Sequence, residues 1–119
     1  MAKLFGIPLK YKNKLDLANK FLDVYFIVKK PKDTMVEKTK KALAYFLVYG
    51  YTKENEKTLK EVLGVNSGYV RVIINMLKKN GYIITDNKSH KKRLSDEMLN
   101  CSKQLFEKQT RTFTIGFIK

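Results

Sequence analysis

Apolar residues in the first quarter of the chain recur at helical spacing. Between positions 14 and 28 they stand three and four residues apart, which predicts an amphipathic helix over 14–28. The later half of this stretch, residues 22–28, fits a strand equally well. The preceding residues 1–13 mix lysines with apolar side chains around Gly6 and Pro8, a pattern that favours an extended arm or an edge strand.

Two possible capping boxes predict where the next helices begin. Thr34, three residues before Glu37, indicates a helix that starts there and ends at Gly50. We expect its buried side to consist of Val36, Leu43, Ala44, Phe46 and Leu47. After a polar segment at 51–57, which we expect to be a loop, Thr58 and Glu61 predict a very short helix that closes at Gly64.

A further helix is predicted from Ser67, as its N-cap, to Lys79, followed by Asn80 and Gly81. Its apolar residues stand at i, i+3, i+4 and i+7, so one stripe should pack inward and the opposite face should be free. These apolar residues are Val70, Ile73, Ile74 and Leu77.

The last third of the chain has two strand-like stretches with a helix-like stretch between them. Residues 82–85 have the composition of a strand, 86–89 that of a turn, and 111–118 alternate like a second strand. We expect these two strands to pair as a hairpin. Ser95 is placed to cap a helix inserted between them, with an apolar side formed by Met98, Leu99, Leu105 and Phe106.

Charge points to the class of partner. The 119 residues include 25 Lys and Arg against 11 Asp and Glu, a net charge of +14. Solubility alone is one explanation of this bias; a polyanionic partner is the other, with nucleic acid ahead of an anionic membrane because cations that neutralise phosphates release counterions. Charge does not choose between DNA and RNA.

Several kinds of chemistry have little support in the sequence. His90 is the single histidine, Cys101 is the single cysteine, and no glycine-rich phosphate loop is present. We therefore expect no metal site, no cofactor and no enzymatic activity, and we expect Cys101 to be buried and inert. The first residues lack a secretory signal and no apolar run is long enough to cross a bilayer, so a cytoplasmic protein without a membrane span is expected.

The segment 58–83 resembles the winged helix-turn-helix family of DNA-binding proteins. The similarity lies in a short helix ending at Gly64-Val65, a small residue, Ser67, before the next helix, and Gly81-Tyr82-Ile83 leading into a wing. It covers residues 34–93 but not the first 30, and a helix between the wing strands is a departure from the family. The resemblance implies an α+β, mostly helical single domain with an extra N-terminal helix at 14–28 and with 94–119 as inserted helix and return strand. It further implies a recognition helix at 67–80 in the major groove, in a protein that regulates transcription.

The free face of the predicted recognition helix and the wing supply the candidate contacts to double-stranded DNA. Arg71 and Asn75 lie four residues apart, on one face, and suit guanine and adenine edges, whereas Ser67 and Tyr69 near the helix start suit phosphate. The full set of candidate DNA-binding residues is Ser67, Tyr69, Arg71, Asn75, Lys78, Lys79, Lys88, His90, Lys91, Lys92 and Arg93.

Three alternatives stay open. The first is an adaptor that docks on transcription, replication or packaging machinery through an apolar face; its candidate residues are Tyr51, Tyr69 and Val72. The second is RNA binding, for which Phe113 and Phe117 on one strand are candidates. The third concerns assembly: the apolar segment 21–28 is the candidate surface for a homodimer, because DNA-binding modules of this kind often recognise paired half-sites.

Overall fold

Helices make up most of the structure, a computed structural model that describes residues 2–4, 7–9, 12–31, 35–106 and 112–113. Within these ranges the chain is α+β and mostly helical, with five helices and short strands, which confirms the predicted class. The elements in chain order are β1 (Ala2–Leu4), β2 (Ile7–Leu9), α1 (Lys14–Val28), α2 (Glu37–Tyr49), α3 (Lys53–Leu63), α4 (Ser67–Lys79), β3 (Ile83–Thr85), β4 (Lys92–Leu94), α5 (Asp96–Phe106) and β5 (Thr112–Phe113).

Helix α1 has the predicted bounds and is helical to its end. The Asn13 side chain caps it by accepting the backbone N–H of Asp16 at 2.8 Å. The strand alternative for residues 22–28 is wrong, because Leu22 and Tyr25 continue the buried stripe of the helix. The apolar residues that suggested a dimer contact are largely buried in the core of the single chain, although Ile27 remains 74% exposed.

Helix α2 is the centre of the core and contacts α1, α3, α4 and α5. It begins at Glu37 after Val36, so the predicted start at Thr34 and the predicted burial of Val36 are wrong; Thr34 itself lies outside the described residues. Val36 precedes the helix with extended backbone, which leaves its side chain 53% exposed. The other predicted core residues of α2 are buried, and Gly50 ends the helix as expected.

Helix α3 is longer than predicted. It begins at Lys53 because the side chain of Thr52 accepts the backbone N–H of Asn55 at 3.0 Å and so caps the helix. The predicted cap, Thr58, lies inside the helix, where its hydroxyl donates to the carbonyl oxygen of Glu54 at 2.9 Å. Residues 53–57 are therefore helical and not a loop.

A turn of three residues joins α3 to α4. Gly64 takes the left-handed conformation, at φ 66° and ψ 41°, which glycine adopts without steric cost. The cap of α4 is Asn66, whose side chain accepts the N–H of Tyr69 at 2.8 Å, so Ser67 is the first helical residue and not the predicted cap. The predicted inward stripe of α4 is confirmed, since all four of its apolar residues are buried.

Strand β3 pairs with β4, not with the predicted strand at 111–118. The pairs are Ile83 with Leu94, Ile84 with Arg93 and Thr85 with Lys92, all antiparallel. A partner close in sequence closes a short loop at a lower cost in entropy than a partner beyond an entire helix. Helix α5 therefore follows the hairpin instead of lying inside it, and packs on α2, where the Ser102 hydroxyl donates to the carbonyl oxygen of Leu47.

Strands β1, β2 and β5 form a separate small sheet with the strand order β2-β1-β5. β1 pairs antiparallel with β2 and parallel with β5, through Lys3 with Thr112 and Leu4 with Phe113. The predicted arm or edge strand at 1–13 is thus two strands, of which β2 is at the edge. The rest of the predicted strand at 111–118, including Phe117, lies outside the described residues.

The two threonines proposed as caps of α3 can be compared directly. Thr52→Ala should lower the free energy of unfolding by about 1 kcal/mol, because the N–H of Asn55 loses its acceptor. Thr58→Ala should change it by no more than a few tenths of a kcal/mol, because alanine is a better helix former than threonine. Urea unfolding measures both. A larger loss in Thr58→Ala than in Thr52→Ala would show that the helix begins at the later residue.

Candidate nucleic-acid interface

Helix α4 presents a polar face because its apolar stripe is buried. Ser67, Arg71 and Asn75 are all exposed and succeed one another at intervals of four residues, so they form a row along one side of the helix. Val72 is 58% exposed on the same outward face. The face therefore offers a hydroxyl, a guanidinium, an amide and one methyl-bearing side chain.

This row of α4 forms one wall of a groove of about 340 Å³, here named the α3–α4 groove. Helix α3 and strand β4 contribute the other lining residues. Val70 and Ile74 lie at its base, and four cationic side chains surround it. The polar and charged lining residues are Glu56, Lys57, Lys60, Ser67, Arg71, Asn75 and Lys92.

The lysines of α3 are interface candidates that the sequence pattern did not reveal. Lys53, Lys57 and Lys60 stand at i, i+4 and i+7, so they share one face of α3 over a rise of about 10 Å. In a loop, the conformation predicted for residues 51–57, this spacing would not place the lysines on one face. The sequence does contain one indication of this row, because Thr52 is a residue type that can cap a helix. A helix that begins after Thr52 places the three lysines on one face.

A second groove, of about 720 Å³, lies between the start of α3 and the hairpin, and is here named the α3–hairpin groove. Lys57, Lys92 and Glu56 line both grooves, so the two are neighbours. The lining residues of the second groove are Tyr51, Thr52, Lys53, Glu56, Lys57, His90, Lys91 and Lys92. The structure thus brings three of the predicted hairpin residues, at positions 90–92, to the same surface as α3.

Arg93 has a different environment from the other predicted hairpin residues. Its guanidinium Nη1 donates to Asp96 at 3.0 Å and to the carbonyl oxygen of Leu94 at 3.0 Å, and its Nε lies 3.7 Å from Asp86. These contacts join the hairpin to the first turn of α5. The guanidinium is therefore engaged within the protein, whereas Lys91 and Lys92 are exposed.

The turn of the hairpin is organised by Asp86. Its Oδ1 accepts the backbone N–H groups of Lys88 at 2.8 Å and Ser89 at 3.4 Å. These two N–H groups, and then the positive charge of Arg93, hold the pKa of Asp86 below its ordinary value of 3.8. Lys88 is exposed in this turn, and His90 takes a left-handed φ of 59° with its N–H donated to the Asp86 carbonyl oxygen.

The remaining predicted residues of α4 do not line the α3–α4 groove. Tyr69, 37% exposed, lies on the flank nearer α2, where the Lys38 ammonium is 5.9 Å from its ring centroid. Lys78 and Lys79 are exposed in the last turn, about 16 Å along the axis from Ser67, where cations also complement the helix dipole. Tyr51, a predicted docking residue, packs edge-on against Phe46 with its ring centroid 4.9 Å away.

Cys101 and His90 occupy unrelated environments. Cys101 is buried in α5, as expected, and burial raises the pKa of its thiol to about 12. His90 is exposed in the hairpin turn. Across the described ranges, no three His, Cys, Asp or Glu side chains lie close enough together to hold a metal ion.

Comparison with known proteins assigns no family to this chain. No protein-family model matches it, and neither does a curated protein or a solved structure at a significant level. Among the described residues no helix is both long and apolar enough to pass through a bilayer. An assignment of function therefore depends on the geometry and charge of the two grooves.

Asp86 contributes to stability in two ways, as a hydrogen-bond acceptor and as a negative charge, and two substitutions separate them. Near neutral pH we expect the melting temperature to fall in the order wild type, Asp86→Asn, Asp86→Ala, because asparagine retains an acceptor for the turn and alanine does not. The pKa of Asp86 is lowered by folding, so its charge stabilises the protein above the unfolded pKa and ceases to do so as the pH falls through the folded pKa. The gap between wild type and Asp86→Asn should therefore close as the pH falls below 3.8, the ordinary pKa of this carboxyl. A gap of constant size across this range, measured by thermal unfolding, would contradict the assignment.

Proposed function

We propose that this chain binds double-stranded DNA as a winged helix-turn-helix protein, with α4 as the recognition helix and the β3–β4 hairpin as the wing. The observation that carries the proposal is the α3–α4 groove, where Arg71 and Asn75 stand exposed among Lys57, Lys60 and Lys92. Arginine and asparagine are the side chains that form bidentate hydrogen bonds with guanine and adenine in the major groove. Regulation of transcription is the activity that we propose for such a protein.

The distribution of charge supports the proposal beyond the net charge of +14. The cations that surround the grooves come from α3, α4 and the β3–β4 hairpin, so they are arranged around one helix of the diameter that a major groove admits. Backbone phosphates would contact the lysines of α3 and of the wing, while α4 contacts base edges. Val72, exposed on the same face, suits the methyl group of thymine.

The adaptor hypothesis retains one specific observation in its favour. Tyr69 and Val72 are both exposed on α4, 37% and 58% respectively, and lie three residues apart. Tyr51 no longer belongs to this surface, because its ring packs on Phe46. Capture of a stoichiometric protein partner from nuclease-treated extract, combined with no duplex binding at low salt, would favour docking over DNA binding.

Substitutions on α4 test sequence recognition. Arg71→Ala and Asn75→Ala should each weaken binding to a preferred duplex by about 5- to 150-fold, the equivalent of 1 to 3 kcal/mol, and weaken binding to random duplex much less. Lys103→Ala is the control, because Lys103 is an exposed cation of α5 that lines neither groove. Fluorescence anisotropy at constant salt measures the affinity of each of the four proteins for both duplexes. Equal losses on both duplexes would assign Arg71 and Asn75 to phosphate contacts.

Salt dependence tests the contacts with the backbone. If about six phosphates are neutralised, the logarithm of the affinity should fall with the logarithm of salt concentration with a slope near −5. Lys57→Gln and Lys92→Gln should each reduce the magnitude of this slope by about 1, since each removes one phosphate contact. Lys103→Gln should leave it unchanged. Slopes that are the same in all four proteins would exclude Lys57 and Lys92 from the interface.

A further inference from the structure

The grooves contain one negative charge whose position calls for an explanation. Glu56 is the only carboxylate among the described residues that line either groove, and it lines both. Its side chain forms no ion pair with any residue that the structure describes, although Lys57, Lys60, Arg71 and Lys92 line the same groove. A carboxylate in this position repels phosphates and therefore weakens binding to any polyanion.

The carboxylate is held in place by Tyr51. The Tyr51 hydroxyl donates a hydrogen bond to Oε1 of Glu56, and the Tyr51 ring is fixed by its edge-on contact with Phe46. Burial, followed by the bond to Glu56, raises the pKa of Tyr51, so the hydroxyl stays protonated and remains a donor. The Asn55 side chain also donates to the carbonyl oxygens of Tyr49 and Gly50, at 3.1 and 2.8 Å, which fixes this segment against α3.

One oxygen of the carboxylate remains available. Oε1 is occupied by the Tyr51 hydroxyl, whereas Oε2 accepts no hydrogen bond within the part of the chain that the structure describes. The side chain of Glu56 is half-buried at the wall of the α3–α4 groove, in which Arg71 and Asn75 also lie. The site is thus a positioned acceptor beside two side chains suited to base edges.

Duplex DNA has few groups that can donate a hydrogen bond to a carboxylate. In the major groove the donors are the exocyclic amino groups of cytosine N4 and adenine N6, whereas guanine and thymine present the acceptors O6, N7 and O4 at the corresponding edges. A fixed carboxylate therefore gains a hydrogen bond from an amino group and is repelled by a carbonyl oxygen. Asparagine and arginine can each serve as donors, so among the described side chains that line the groove Glu56 alone acts only as an acceptor.

We propose that Glu56 is a specificity-determining residue that accepts a hydrogen bond from an exocyclic amino group, foremost cytosine N4, in the major groove next to the bases that Arg71 and Asn75 contact. The inference rests on the proposed DNA binding. Tyr51 acts as the positioning residue that fixes the carboxylate. The unpaired charge lowers the affinity for all duplexes. It also increases the difference in affinity between the preferred sequence and other sequences.

The test is selection of bound sequences from a random duplex library with wild type, Glu56→Gln and Tyr51→Phe. Wild type should favour cytosine at one position by about 5- to 100-fold. Glu56→Gln should lose this preference or shift it towards adenine, which glutamine recognises, and should bind random duplex more tightly. Tyr51→Phe keeps the ring and the negative charge but frees the carboxylate, so it should weaken the preference without the gain in affinity for random duplex.

Glu54→Gln is the matched control, because Glu54 is an exposed acid of the same first helical turn that lines neither groove. It removes the same charge from the same helix end and should leave the base preferences unchanged. Tighter binding of Glu56→Gln with base preferences identical to those of wild type would reduce Glu56 to simple repulsion and overturn the proposal. Failure of the wild type to bind any duplex would refute the proposed function itself, whereas specific wild-type binding with an unaltered Glu56→Gln profile would refute only this inference.

Discussion

Helix α4 packs on α2, and burial of the apolar stripe of α4 determines which of its side chains face outward. Buried residues of α2, from Ala42 on one side to Ala44 on the other, span about 200° of its circumference at 100° per residue, because α1, α3, α4 and α5 all contact it. The apolar stripe of α4 therefore has a fixed place to pack. Once that stripe is buried, Arg71 and Asn75 face outward, and α3 and the hairpin line the same groove as this polar row. The groove is thus a consequence of core packing, and its chemistry is set by the residues left outside.

Helices with strong periodicity were predictable from the sequence, whereas helix starts and strand pairing were less so. The bounds of α1 and the buried stripe of α4 could be predicted from the spacing of apolar residues, because each helix buries the one face on which those residues lie. The start of α3 was missed because the pattern of a capping threonine recurs by chance in a segment rich in Lys and Glu, and only the fold shows that Thr52 is the cap. Strand β4 was missed because Lys92 and its charged neighbours do not alternate like a strand. Its pairing with β3 is supported by a contact across the hairpin, between Arg93 and Asp86, which no local pattern encodes.

The parts of the candidate interface that depend on helical spacing or on charge could be predicted from the sequence. The parts that depend on tertiary contacts could not. The row on α4 could be derived from helical spacing, and positions 90–92 of the hairpin from their charge. Lys53, Lys57 and Lys60 form a row only because α3 begins at Lys53, which the sequence pattern did not predict. Glu56 and Tyr51 could not be linked in advance, because their hydrogen bond depends on the contact of Tyr51 with Phe46 of α2. The unpaired acid is consequently the feature of the grooves that depends most on tertiary structure.

If one surface, formed by α3, α4 and the hairpin, binds duplex DNA, the residues of that surface should respond together when duplex is added. The most direct measurement is a titration of ¹⁵N-labelled protein with a random-sequence duplex at low salt, followed by amide chemical shifts. Dissociation constants for non-specific duplex binding are roughly 1 to 100 µM, so the duplex concentration should be well above this range. We then expect the largest chemical-shift changes at residues 57–60, 67–75 and 88–92. The amides of α1 should remain close to their free positions. An unchanged spectrum, or shifts confined to α1 and the α5 surface, would contradict the account.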